Sequence, residues 1–411
     1  MGTAGHPLRD GHHVQLLQGG QQFFPALIRA VDHARSDVHI ETYIFDFTGA
    51  GTEVAQALER AGRRGVQVRL VVDGVGTGPL PAEWQRRFEA AGVQWSVYSP
   101  LGALGLLIPS RWRRLHRKLC VVDGHVAFCG GINILDDHHD PHHGALDRPR
   151  LDFAVRASGT LVREVLETTT QLWWRLQAVR NVRQHNFPQA YSSFRAAGLH
   201  LPWTDVHATQ PGADVRVARA GLLLRDNVRH RTQIERAYLK AIGTARQEIL
   251  IANAYFVPGR RLRKALVLAA RRGVRVCLLL QGRYEYFMQY HAARPVYGRL
   301  LAAGIEIHEY TESFLHAKVA VIDAAGERPW ATVGSSNLDP LSLLLAREAN
   351  VVVADGGFAR VLRERLLRAI DEGSRRVDPS AFANRPWSER ALNLLAFALM
   401  RIALFLTGSR Y

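Results

Sequence analysis

The chain has 411 residues, two to three domains' worth of material, and its 47% hydrophobic and 22% charged content argues against disorder. A formal net charge of +16 and an isoelectric point near 10.4 call for a polyanionic partner, nucleic acid or an anionic membrane face. Three cysteines, Cys120, Cys129 and Cys277, without C-x-x-C spacing exclude a disulfide framework and fit a reducing compartment.

Met1 to Ala30 contain no apolar run of the length a signal peptide or N-terminal anchor needs. Val38 to Phe45 then reads as a buried strand, followed by a helical pattern ending Arg63-Arg64-Gly65-Val66 and a β-rich run from Gln67 to Asp73. A helix ending Ala90-Ala91-Gly92 comes next. Leu101 to Ile108 is an apolar, glycine-containing run that leads through Pro109 into Arg111-Trp112-Arg113-Arg114. His116-Arg117-Lys118 begins another strand, whose Asp123-Gly124 predicts a hairpin turn, and Cys120 and Cys129 flank that turn as packed thiols that lie close across it. Gly130-Gly131-Ile132-Asn133 closes the segment. The cluster His138-His139-Asp140-Pro141-His142-His143 has metal-ligand residue types, but its irregular spacing reads as a solvated loop, and no metal is expected.

The same order recurs in the second half. Glu248 to Phe256 matches the first strand, Arg271-Arg272-Gly273-Val274 the first helix end, and Arg275 to Gln281 the next strand. After the Tyr-, Phe- and Met-rich stretch Tyr284 to Tyr297, readable as an acyl-chain groove or a packed helix, come Ala302-Ala303-Gly304, a strand, and His316-Ala317-Lys318. Strands alternating with helices predict an α/β fold, duplicated into two pseudo-twofold-related halves, with parallel sheet covered on both faces. The expected halves are residues 1–186 and 213–384, joined by a Pro-, Gly- and Ser-rich linker at 187–212, with 385–411 as an amphipathic C-terminal helix.

Both halves carry H-x-K-x4-D and a glycine-led turn closing with Asn: His116, Lys118, Asp123 and Asn133; His316, Lys318, Asp323, Gly334, Ser335 and Asn337. Only four of the 53 basic residues are lysine, and two of those four occupy equivalent motif positions. A compact ammonium is wanted there and a planar guanidinium is not. On a strand, residues two apart share a face, so His and Lys of each motif point the same way. Asp123 and Asp323 lie an odd number of residues from the lysines and are expected on the other side, fixing a turn or nearby amides. Two histidines, two lysines and glycine-led backbone with Ser335, Asn133 and Asn337 suit a phosphodiester: ammonium and amide groups hold phosphate oxygens, one imidazole attacks, the other protonates the leaving oxygen. Such chemistry needs no metal and no cofactor. Each imidazole needs a carboxylate to fix its tautomer; Glu348 is the candidate in the second half and Asp152 in the first.

This constellation resembles the phospholipase D superfamily, over nearly the whole chain. His316 to Asp323, Gly334 to Ser342 and Ala252 to Gly259 are similar, more narrowly, to the bacterial cardiolipin synthases that lack N-terminal membrane spans. The resemblance implies a catalytic set of His116, Lys118, Asp123, His316, Lys318 and Asp323. It also implies phosphatidyl transfer from one phosphatidylglycerol to another through a phosphohistidine, with His116 as nucleophile and His316 as general acid and base. Two departures stand out. The first turn reads Gly130-Gly131 where many superfamily members have Gly-Ser, and ten residues, not six, separate Asp323 from Gly334. A phospholipase D-type hydrolase, a phosphatidylserine synthase, or a nuclease of the same fold are the alternatives.

Lipid is favoured over nucleic acid by three segments: 101–114, 284–297 and Ala391 to Leu406. The last is interrupted by Asn393 and Arg401 near one side of a helix, and at about 1.5 Å per residue it falls short of a ~30 Å hydrocarbon core. The expected partners are therefore phosphatidylglycerol and an anionic membrane surface, approached peripherally from the cytoplasmic side, with no nucleic acid.

Overall fold

The computed structural model describes residues 8–102, 109–140, 143–198, 216–226, 230–284, 287–339 and 346–406, and each copy of the repeat forms a run of sheet strands with helices packed against it. The chain divides into two compact units. One comprises 9–136 and 154–222. The other takes 223–411 together with 1–8 and 137–153, so the segment after the first motif is built into the unit of the second. These boundaries differ from the expected 1–186 and 213–384.

In the first unit the strands are β1 (Arg9–Gln18), β2 (Asp37–Thr42), β3 (Gln67–Asp73), β4 (Gln94–Tyr98), β5 (Lys118–Val122), β6 (Val126–Gly130), β7 (Phe153–Ser158) and β8 (Arg216–Arg225). Their order is β8-β1-β7-β6-β5-β2-β3-β4. Strands β2, β3 and β4 are parallel. The motif strand β5 is antiparallel to both β2 and β6. The expected parallel sheet is found from β2 to β4, where helical crossovers link the strands, and the expected turn at Asp123-Gly124, two residues long, can join only antiparallel neighbours. Both turn residues have positive φ, +51° and +63°, and His125 N–H closes on Val122 O at 2.9 Å, the geometry a tight hairpin requires. Helices α1 (Gly19–Asp32), α2 (Gly49–Arg63) and α3 (Ala82–Ala91) cover one face, where Leu27, Leu58 and Phe88 meet Val38, Val68 and Leu70. On the other face Leu172 and Trp173 of α4 (Thr160–Arg183) pack with Val71 and Leu115. A further helix, α5 (Phe187–Gly198), stands where the linker was expected to begin; residues 199–212 of that linker lie outside the described residues.

The second unit repeats the plan with α6 (Gln233–Thr244), β9 (Glu248–Asn253), α7 (Arg260–Arg271), β10 (Arg275–Gln281), α8 (Phe287–Leu301), β11 (Glu306–Tyr310), β12 (Lys318–Ile322), β13 (Trp330–Gly334), β14 (Ala346–Ala354), α9 (Gly356–Gly373), β15 (Ser374–Arg376) and α10 (Trp387–Leu406). The order is β15-β11-β10-β9-β12-β13-β14, parallel from β9 to β11 and antiparallel from β9 through β12 to β14. The repeated Arg-Arg-Gly-Val has a local cause. Gly65 and Gly273 take φ of +88° and +86°. Val66 and Val274 then donate back to Ala61 O and Ala269 O, which ends both helices and aims the chain into the next strand.

Cys120, Cys129 and Cys277 are buried thiols outside any disulfide. Cys129 pairs with Leu119 and Cys120 with Phe128, so the two hairpin thiols point to opposite faces of the sheet and are not neighbours across the turn.

Among the described residues no helix is long and apolar enough to cross a membrane. The α10 helix lies on α8, and Asn393 is buried against it, 2.7 Å from His291 Nδ1. Asn393 therefore faces the protein, not solvent, and the outward side carries exposed Leu392, Leu395 and Leu399.

The motif aspartates are anchors. Asp123 accepts the backbone amides of Arg35, Ser36 and Asp37 at 2.8–3.0 Å. Asp323 accepts those of Arg246, Gln247 and Glu248 at the same distances. Burial raises the Asp123 carboxyl pKa, but the hydrogen bonds from Ser36, Asp37 and Arg35 outweigh it and hold it below its ordinary 3.8. A depressed carboxyl adds stability that is present above pH 3.8 and is lost as pH falls through the folded value. Asp123→Asn and Asp323→Asn are expected to cost about 2–4 kcal/mol of stability while changing turnover of the folded protein only a few-fold, as melting curves run beside activity assays would show.

Candidate active site

In the second unit, His316 precedes β12 and is placed by backbone bonds: Leu151 N–H donates to Phe314 O at 3.0 Å and His316 N–H to Leu151 O at 2.9 Å. That pairing brings Asp152 alongside. Its Oδ2 lies 2.6 Å from His316 Nδ1, while Oδ1 accepts Phe153 N–H at 2.8 Å. An imidazole held this way keeps a proton on Nδ1 directed at the carboxylate and presents Nε2 for chemistry. The sequence expectation paired Asp152 with the histidine of its own half and Glu348 with His316. Asp152 takes His316 instead, because residues 137–153 belong to this unit. The Glu348 carboxylate receives the hydroxyl of Ser335.

Lys318 is fully buried, and its Nζ donates to the carbonyl oxygen of His316. Ser335 also takes the Ala349 amide at 3.1 Å, so its hydroxyl is built into the wall. Asn337 is buried with an Oδ1 that meets no hydrogen-bond partner among the described residues, as expected of a group reserved for a ligand. Gly334 is obligatory: a Cβ there would meet the Asn350 side chain at 2.2 Å and Ala349 O at 2.6 Å. Asn253, not singled out from sequence, accepts Leu338 N–H at 3.1 Å and fixes the turn after Asn337.

In the first unit Lys118 is likewise buried and donates to His116 O at 2.7 Å. The Tyr43 ring lies 5.0 Å from the His116 imidazole and 5.6 Å from Lys118 Nζ; burial, then Asp73, raises the Tyr43 pKa and keeps the phenol neutral. Asn133 accepts Ile44 N–H at 3.2 Å. Between His116 and Lys118, Arg117 turns away into a buried ion pair with Glu41. The second copy has Ala317 and Ala252 at the corresponding positions.

One equivalence was missed because its two residues differ. Asp73 Oδ2 accepts Leu115 N–H at 2.7 Å, and Gln281 Oε1 accepts Leu315 N–H at 3.1 Å. Each closes a parallel strand and holds the backbone one residue before a motif histidine. Their matching places at the ends of the two repeated β-rich runs were the available signal.

Of the histidine cluster, residues 141 and 142 lie outside the described residues, and His143 Nδ1 sits 3.0 Å from Asp140. Among the described residues Cys277, Glu306 and His308 could converge on a cation. They fit one poorly: Arg275 grips both Glu306 oxygens at 3.0 Å, and burial, then Glu306, pushes the thiol up to about 12.

Buried lysine ammonium groups beside each histidine carry a prediction. Lys118→Arg and Lys318→Arg force a larger planar fork into a closed space. Losses on the order of 10²-fold or more in turnover are expected, comparable to removing an oxyanion donor. Near-normal rates in both variants would remove the lysines from the chemistry.

A family model described as "Cardiolipin synthase, PLD-like domain" matches residues 27–143 and 238–370. Cardiolipin synthase B of Escherichia coli (strain K12) is 36% identical over 96% of this chain and 89% of its own length. A probable cardiolipin synthase of Bacillus subtilis (strain 168), YwiE, is 28% identical over 92% of this chain and 70% of its own. The crystal structure of phosphatidylserine synthase from Haemophilus influenzae Rd KW20 superposes with a TM-score of 0.67 at 13% identity, covering 97% of both chains; that likeness is one of fold.

Proposed function

The chain belongs to the phospholipase D-like cardiolipin synthase family, and on that premise we propose that it joins two phosphatidylglycerols into cardiolipin, releasing glycerol. Nε2 of His116 attacks the phosphorus of the first phosphatidylglycerol. The phosphorus–oxygen bond to the headgroup glycerol breaks, and His316 protonates the departing oxygen. A hydroxyl of the second phosphatidylglycerol then displaces the histidine from phosphorus and gives its proton to His316. Lys118, Lys318 and the Asn133 and Asn337 amides serve the phosphate oxygens. One phosphodiester replaces another, so the exchange is close to thermoneutral and exclusion of water decides between transfer and hydrolysis.

The observation that carries this reading is the Asp152–His316 pair at 2.6 Å in a motif present twice with buried lysines. Peripheral attachment to the cytoplasmic membrane face goes with it, helped by the +16 charge and by the outward leucines of α10. Incubation with phosphatidylglycerol vesicles tests the proposal: cardiolipin and glycerol should appear in equal amounts. Phosphatidic acid as the main product would make the chain a hydrolase, and cleavage of added DNA with no lipid product would make it a nuclease.

A further inference from the structure

The α4–α5 hairpin is amphipathic in reverse. Its shorter helix turns Ala190, Ser193 and Ala197 inward and holds Phe187, Tyr191 and Phe194 outward, 63%, 67% and 69% exposed. These three lie four and three residues apart, on one helical face. Val179 and Val182 at the end of α4 are exposed by half. A folding chain ordinarily buries aromatics and leaves alanine and serine outside, so a contiguous face of this kind marks a surface meant for something else.

The hairpin is not a frayed end. His185 takes φ of +57° at the corner, Asn186 N–H closes on Asn181 O at 2.9 Å, and the Asn186 side chain caps Gln189 N–H at 3.3 Å. Asn181 also reaches Ser193 Oγ at 3.2 Å, tying the helices together. The aromatics are therefore presented on a fixed element.

Charge identifies the occupant. From Gln171 to Gly198 the chain carries four arginines, Arg175, Arg180, Arg183 and Arg195, and no Asp or Glu. Arg180, Arg183 and Arg195 are exposed. Two such faces repel each other, which disfavours a second copy of this chain. Aliphatic Val179 and Val182 do not stack on bases, which disfavours nucleic acid. Aromatic and aliphatic side chains bordered by arginine match the boundary between lipid headgroups and hydrocarbon.

We infer that the α4–α5 hairpin docks on an anionic phospholipid bilayer, inserting Phe187, Tyr191 and Phe194 between headgroups that its arginines neutralise. The choice of lipid rests on the proposed function; the surface itself does not. The test is flotation of the full chain with vesicles of phosphatidylglycerol and phosphatidylcholine, with pure phosphatidylcholine vesicles and duplex DNA as separate arms. Phe187→Ser, Tyr191→Ser and Phe194→Ser together should weaken partition into anionic vesicles about tenfold or more. Tyr191→Ser and Phe194→Ser, made singly at exposed positions, should each weaken it in part at an unchanged melting temperature. Phe187→Leu with Phe194→Leu should retain it. Arg180→Gln, Arg183→Gln and Arg195→Gln together should lower binding and its salt dependence. Unchanged partition of the serine variants overturns the inference. So does loss only of self-association in ultracentrifugation, or loss only of DNA binding. Vesicle binding is scored without turnover, so a wild-type chain that docks through this face but makes no cardiolipin sinks the catalytic proposal and leaves this one standing.

Discussion

Alanine in place of His116 or His316 is expected to reduce phosphatidyl transfer by about 10⁴-fold or more, because in the proposed mechanism one variant lacks the nucleophile and the other the proton donor. The two losses should differ in kind. With phosphatidylglycerol neither variant turns over. With a donor whose leaving group departs without protonation, His316→Ala should still accumulate a phosphatidyl adduct on His116, whereas His116→Ala should accumulate none. Intact-protein mass spectrometry after an acid-free quench reads this directly. An adduct on His316 in the His116→Ala protein would exchange the two roles, and absence of any adduct would remove the covalent step.

The second large effect is expected at Asp152. Its carboxylate sits 2.6 Å from His316 Nδ1 and touches no reacting atom, so it acts as a positioning residue. In Asp152→Asn the amide cannot favour one tautomer as a carboxylate does, and a loss on the order of 10²- to 10⁴-fold in kcat is expected with KM little changed. Asp152→Glu should restore part of it. Nitrogen NMR of His316 should show the Nδ1-protonated form in the wild type and a mixture in the asparagine variant. An asparagine protein with full kcat, or with KM raised and kcat intact, would reduce Asp152 to a structural role.

Much of this architecture is legible in the sequence because its signals are local. Arg-Arg-Gly-Val repeats since a left-handed glycine must end each helix before a parallel strand, and Asp123-Gly124 specifies a hairpin by its own φ angles. Strand alternation correctly sends Asp123 and Asp323 to backbone amides. What escaped is non-local. Asp152 was assigned by proximity in sequence, but residues 137–153 fold with the later part of the chain, and nothing in their composition announces that. In sequence Asn393 is a polar interruption of an apolar run, and its partner His291, about a hundred residues earlier, takes it inward. Asp73 and Gln281 do one job with two residue types, which hides the equivalence from a search for identical letters. Phe187, Tyr191 and Phe194 lie within the stretch that its Pro, Gly and Ser content marks as linker, and that composition conceals the helical face they form.

In the proposed reaction a histidine carries the phosphatidyl group between two alcohols. Phosphatidylglycerol made chiral at phosphorus with oxygen isotopes tests this most directly. Two successive in-line displacements, first by the imidazole and then by the acceptor hydroxyl, predict cardiolipin with retained configuration at the transferred phosphorus. Inverted configuration would mean a single direct displacement by the acceptor, and the covalent role given to His116 would be wrong.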